Sequence, residues 1–127
     1  MAETNAGFVP GYHPIDAYGS GGFKFAGMSH RGSILVLPTG VHAWNAQKPG
    51  DIDAASLSAL LALPKSVVEL LMVGTGTELV PLPGPLRARL REAGIRADPM
   101  ATGAAARTYN VLLSEGRRVA AALLAVP

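Results

Sequence analysis

The run Val67 to Gly76, reading VVELLMVGTG, constrains the fold more than any other part of the chain. It is apolar at nearly every position, interrupted only by Glu69, until it meets a Gly-Thr-Gly turn. A strand with one face in water alternates apolar and polar residues, so an unbroken run reads as a strand covered on both faces. A second segment of this kind, Ile95 to Met100, follows a short helical pattern. Strand, crossover helix and strand predict two adjacent parallel inner strands whose C-terminal ends share one rim. Open α/β sheets hold ligands beyond that rim, which makes it the first place to look for a site.

At 127 residues the chain suits one domain that removes roughly two thirds of its unfolded surface from water. It has no cysteine, which excludes a disulfide framework and thiolate metal or redox sites and fits a reducing compartment, the cytoplasm by default. The net charge is +2, but charged residues make up only 16%, too few for the basic stripe that nucleic acid demands. Glu3 and the lack of an apolar core before Gly7 argue against a secretory signal. The longest uncharged apolar run, Val119 to Val126, is too short to cross a bilayer. The expectation is a soluble protein with a flexible N-terminal arm over residues 1–11 and a single domain over 12–127.

Ile15, Ala17 and Tyr18 read as a short edge strand, and Gly19 to Gly22 as a joint, since no Lys-Ser/Thr pair or helix follows to make it a phosphate loop. Phe23, Phe25 and Met28 suggest a half-buried strand. Gly27 to Gly32 would turn the chain into the apolar return strand Ser33 to Leu37, giving an N-terminal antiparallel hairpin, which Val41, Ala43 and Trp44 extend. Asp51 or Asp53 can cap a short helix bearing Leu57, Leu60 and Leu61, ended by Pro64. Gly84-Pro85 opens another, with Leu86, Leu90 and Ala93 inward and Arg87 and Arg91 sharing its outer face. Two such cations are ordinarily a solvated surface, although they suit an acidic partner.

Thr102 is placed to cap a helix through about Leu113. At 3.6 residues per turn Ala104, Thr108, Val111 and Leu112 form one face, Ala106, Tyr109 and Leu113 a second apolar face, and Arg107, Asn110 and Ser114 the remaining wedge. A helix apolar on two sides is covered by another layer or uses its second face as an interface, with a protein partner or a second copy of the chain. Trp44 reads first as a core cap with a bonded indole N–H, and second, with Tyr109 and Leu113, as part of an interaction surface. Beyond Gly116, alanines favour helix, while the Val and Leu among them allow a buried strand.

From Ile15 onward the order of motifs resembles a small family of domains of unknown function. It includes stand-alone bacterial and archaeal proteins, the human adipogenesis-associated domain protein and a mitochondrial assembly factor for respiratory complex I, the NADH:ubiquinone oxidoreductase. The matching pieces are GGFKFAG (Gly21 to Gly27), GSILVLPTGVHAW (Gly32 to Trp44), ELLMVGTG (Glu69 to Gly76) and MATGAAARTYNVLLSEGRRVAAAL (Met100 to Leu123), the last being the most specific. The resemblance implies a three-layer α/β domain with a mixed central sheet flanked by helices, and makes Arg118 to Ala125 a final strand antiparallel to its neighbours. It implies no established activity and no cofactor, and it points to an interaction module related to an assembly factor.

On the chemistry, a rim shared by Gly74, Thr75 and Gly76 with Met100 and Thr102 would offer helix N-terminal amides. Arg107 within reach and Asn110 on the same wedge would complete a crevice for a small anion such as phosphate or a carboxylate. The competing reading makes the glycines simple turn residues and ties Arg107 into a structural ion pair. The Gly74-x-Gly76-x-x-Leu79 spacing lacks the third glycine of a dinucleotide site. His13, His30 and His42 share no metal-ligand spacing, and no serine elbow or carboxylate pair is placed for catalysis. The sequence therefore predicts no catalytic residue, metal or cofactor, and a non-catalytic interaction protein ahead of an anion binder.

Overall fold

The computed structural model describes residues 8–127. In chain order its strands are β1 (Phe8–Pro10), β2 (Ala17–Gly19), β3 (Gly22–Phe25), β4 (Met28–Arg31), β5 (Ile34–Leu37) and β6 (Gly40–Ala43). Then come α1 (Ser58–Leu61), β7 (Leu70–Gly74), α2 (Gly84–Glu92), β8 (Arg96–Met100), α3 (Thr102–Ser114) and β9 (Val119–Leu123). Six strands make one mixed sheet in the order β1-β6-β5-β9-β7-β8, and β2-β3-β4 make a separate meander. The expected α/β architecture with a mixed sheet flanked by helices is thus present.

Crossover geometry explains the layering. The chain steps from β7 to β8 through α2, then back past β7 to β9 through α3. Two crossovers of one hand that step in opposite directions must lie on opposite faces. Accordingly Leu86 and Leu90 of α2 pack with Leu71, Val73, Ala120, Ala122, Trp44 and Leu57 on one side of the sheet. Ala105, Ala106 and Tyr109 of α3 pack with Met72, Val119, Ala121 and Leu123 on the other, beside Phe23 and Phe25 of the meander. The same path corrects the sense expected of the last strand. β9 is antiparallel to β5, as the resemblance implies, but parallel to β7, because a strand returning through a crossover helix must run as its predecessor did.

All five residues of β9 are buried. Local helix preference yields here to position, since three consecutive alanines keep the strand thin where layers approach it from both sides. The pair β7 and β8 is adjacent and parallel as expected, with Leu70 opposite Arg96 and Gly74 opposite Met100. Only β7 is an inner strand, however, for β8 ends the sheet.

The hairpin is also redistributed. The return partner of β3 is β4, with Phe25 opposite Met28, and β5 pairs instead with β6 and β9. Ala26 and Gly27, both at positive φ (51° and 74°), form the two-residue turn, the backbone shape that matches the twist of a tight hairpin. The polar sequence of β4, Met-Ser-His-Arg, concealed it inside a presumed turn. At the N-terminus, the stretch read as an arm contains edge strand β1, with Val9 opposite Val41. Residues 1–7 of that stretch lie outside the described residues. Asp53 caps the turn before α1, its Oδ1 accepting from the Ser56 amide at 2.8 Å, while Asp51 accepts from the amides of Gln47 and Lys48.

The free edge of β8 is blunted by sequence. Arg96 N–H bonds to Glu69 and the Met100 carbonyl to Thr75, so Arg96, Asp98 and Met100 turn their backbone groups to β7. Ala97 and Pro99 face outward, and Pro99 has no N–H to offer a neighbouring strand. Pro99→Val should therefore lengthen the exposed ladder and promote edge-to-edge self-association with little loss of fold. Light scattering on size-exclusion fractions tests this; a variant no more self-associated than the wild type overturns it.

Candidate functional site

The C-terminal rim brings together the residues expected there. Gly74 ends β7 at the point where Thr102 begins α3. A side chain on Gly74 would start 2.9 Å from the Thr102 Cα and Oγ1, so only glycine permits the approach. Thr102 N–H donates to the Gly76 carbonyl at 2.8 Å, Thr75 N–H to the Met100 carbonyl at 2.8 Å, and Leu124 N–H to the Gly74 carbonyl at 2.9 Å.

Two buried hydroxyls complete the junction. Thr102 Oγ1 donates to the Leu124 carbonyl (2.8 Å) and accepts from Gly76 N–H (3.0 Å). Thr75 Oγ1 accepts from Val80 N–H (2.9 Å) and lies 2.6 Å from the Glu78 carbonyl and 3.0 Å from that of Met100. Thr102 is not the helix cap: Ala101 holds that position, and the Thr102 hydroxyl is spent on strand ends rather than on its own first turn. The residues of the expected crevice meet here, and the amides of Thr75, Gly76 and Thr102 are bonded within the protein, as is that of Ala105 in the first turn of α3, which donates to the Ala101 carbonyl at 2.9 Å.

Arg107 and Asn110 bond to the segment around β2 rather than to the strand ends at the rim. Arg107 is exposed, with its NH1 donating to the Tyr18 hydroxyl at 3.4 Å, and the Tyr18 phenol lies directly against Gly103, where a larger residue would push the ring aside. Asn110 clasps the segment ahead of β2. Its Oδ1 accepts from Ile15 N–H at 2.8 Å and its Nδ2 donates to the Ile15 carbonyl at 2.7 Å, as a neighbouring strand would. Met100 is half-buried, with its sulfur accepting from the Thr108 hydroxyl at 3.6 Å.

The expected interaction surface is largely interior. Tyr109 is fully buried, its hydroxyl donating to the His13 carbonyl at 2.9 Å; burial, then the nearby Tyr12 phenol, pushes its ionisation well above the ordinary range. Trp44 is buried with its indole N–H on the Ser56 carbonyl at 2.8 Å. Leu113 is half-buried against the α3-side core. The second apolar face of α3 is therefore covered by the chain's own N-terminal segment and meander, one of the two outcomes its pattern allowed.

The three histidines are dispersed. His13 bonds to the Pro10 carbonyl, His30 tilts against Phe25, and His42 lies under Phe8 with ring centroids 4.6 Å apart. Among the described residues no three metal-ligating side chains converge.

A concavity that sequence reasoning missed lies at the opposite end of the strands. A groove of about 460 Å³ is lined by Arg87 and Arg91 of α2, Gly94, Arg96 and Ala97 along β8, and Glu69 and Arg117 at the entries to β7 and β9. The Arg87/Arg91 pair was visible in the helix pattern, but Arg96 and Arg117 join it only through the strand order.

Comparison with known proteins gives the chain's relations. The family model described as a protein of unknown function (DUF498/DUF598) matches residues 15–124. An uncharacterized protein of Rhodobacter capsulatus is 46% identical over 127 residues, covering 100% of this chain and 95% of its own. Human NADH dehydrogenase (ubiquinone) 1 alpha subcomplex assembly factor 3 is 35% identical over 113 residues, covering 89% of this chain; the chain spans 61% of that factor's length. The crystal structure of a Bartonella henselae protein, described as an outer membrane protein, superposes with a TM-score of 0.88 at 50% identity, covering 93% of this chain and 98% of that one. No described helix of the present chain is long and apolar enough to cross a membrane.

Two outcomes follow from this geometry. Thr102→Val keeps the shape but leaves the buried Leu124 carbonyl and the half-buried Gly76 N–H without their hydroxyl partner, and should cost about 1–3 kcal/mol in urea unfolding; Thr102→Ser should retain most of that stability. Equal stability of Thr102→Val and the wild type would show that the lock is dispensable. For His42, burial lowers the folded-state pKa, and among the described residues its Nε2 has no hydrogen-bond partner. The unfolded chain then takes up the proton first, so stability falls as pH drops below about 6.5 towards the folded value. His42→Gln should flatten that part of the stability profile, and an unchanged slope refutes the assignment.

Proposed function

The chain belongs to the DUF498/DUF598 family of proteins of unknown function, and from that membership we propose that it is a non-catalytic protein-interaction module. In this reading it helps assemble or mature a respiratory, complex I-like complex or another membrane complex. The observation that carries the reading is the likeness, over most of the chain, to relatives named as NADH dehydrogenase assembly factors from human and zebrafish. The geometry agrees with it in one respect. Thr75, Gly76 and Thr102 at the carboxyl rim bond their polar groups to the protein itself, which at that end favours a contact surface over a catalytic chamber. The protein works in the cytoplasm and meets its complex through protein contacts.

Deleting the gene in the organism that encodes it should lower the amount of assembled respiratory complex on native gels, with NADH:ubiquinone oxidoreductase activity falling in parallel and restored by the wild-type gene. Affinity purification after crosslinking should recover subunits of that complex. Unchanged complexes in the deletion strain, with no membrane-complex subunit crosslinked, would remove the basis for the role.

A further inference from the structure

The groove at the N-terminal ends of β7 and β8 concentrates positive charge in a sparsely charged chain. Of 11 lysines and arginines in 127 residues, four arginines lie among the nine residues that line it, facing one carboxylate. That carboxylate, Glu69, is already engaged: its Oε2 lies 3.7 Å from Arg117 Nε and its Oε1 3.7 Å from Arg118 NH2. Among the described residues Arg87, Arg91 and Arg96 have no ion-pair partner. Compensation of the helix dipole accounts for Arg91, in the last turn of α2. It does not account for Arg96 and Arg117, which arrive from two other elements. Like charges around a concave wall repel one another and focus a positive potential that an anionic partner relieves.

The backbone beside this field selects the kind of anion. Ala97 lines the groove and turns its N–H and carbonyl to the unpaired edge of β8, so a polypeptide laid there finds a donor and an acceptor as well as cations. Pro99, two residues on, stops the ladder from extending. Three uncommitted guanidiniums also fall short of what a nucleic acid backbone needs for salt-resistant binding. We propose that this groove docks an acidic, extended segment of a partner protein, with carboxylates on Arg87, Arg91 and Arg96 and one backbone pair at Ala97. The class of partner rests on the reading of the chain as an interaction module.

The test titrates the 15N-labelled full chain with an oligoglutamate peptide, and separately with oligolysine, inorganic phosphate and a single-stranded oligodeoxynucleotide. Oligoglutamate should shift the amides from Gly94 to Ala97 and slow hydrogen exchange at Ala97, and oligolysine should do neither. The double variant Arg87→Glu/Arg91→Glu should bind roughly tenfold more weakly or worse, whereas Arg31→Glu on β4 should bind as the wild type does. If the double variant misfolds, Arg87→Gln and Arg96→Gln report the same loss singly. No shift at the groove, a response to phosphate or oligonucleotide without one to oligoglutamate, or equal weakening by Arg31→Glu overturns the proposal. Absent oligoglutamate binding leaves the assembly role standing. Intact binding by a chain whose deletion spares every membrane complex sinks the role and leaves the groove.

Discussion

The structure depends on a strand that has no exposed side. β9 lies fourth in a six-stranded sheet, antiparallel to β5 and parallel to β7, and is the place where the two halves of the fold are joined. A strand covered on both faces can admit close layers only if its side chains are small, and Ala120, Ala121 and Ala122 meet that condition. Ala120 and Ala122 let the α2-side core approach, and Ala121 does the same for α3. Bulkier residues there would force off-rotamer packing into two cores at once, at a cost of about 1–3 kcal/mol each.

From that strand the other constraints follow. Where β9 leaves the sheet, its Leu124 carbonyl and amide need partners at a depth water does not reach, and the Thr102 hydroxyl and Gly74 carbonyl provide them. Where α3 passes over β9, its outward face would leave Tyr109 exposed, so the chain folds its own Tyr12 to Ile15 segment across it, fixed by Asn110 and the Tyr109 hydroxyl. The meander is held by the residues after β9, with the Gly21 amide on the Val126 carbonyl. Among the described residues the first and last thirds of the sequence are therefore bound together by polar contacts to main chain rather than by an ion pair, and contacts of that kind are largely insensitive to salt.

Much of this was legible before the structure. Long apolar runs mark β5 and β7, the 3.6-residue period marks α2 and α3, and the meeting of the Gly74 turn with the Met100 to Thr102 junction follows from a parallel pair. What escaped has physical causes. β4 has Met28 as its one apolar residue, so no periodicity announces it. The sense of β9 relative to β7 is a property of the crossover and leaves no trace in residue order. Thr102 is an equally good cap and buried bridge by composition, and only the position of Leu124 decides between them. Tyr109 and Trp44 could be read as interface residues because an apolar face does not reveal which layer covers it. The meeting of Arg96 and Arg117 with the α2 arginines required the strand order.

The expectation that an open α/β sheet keeps its site at the carboxyl rim rests on loops that splay apart beyond the strand ends, leaving amides unpaired around a crevice. In this chain the loops after β7 and β8 converge instead. Gly74 allows Thr102 to close upon it, Thr75 draws Glu78 and Val80 inward, and the amides of Thr75, Gly76 and Thr102 each find an oxygen of the protein itself. The opposite end has no such lock. There a glycine turn after α2 and the entries to three strands leave a concave wall whose arginines face water, and the sheet's blunted edge runs beside it. A fold that uses its polar groups to seal one end of the sheet retains an unneutralised field at the other, and recognition moves to that end.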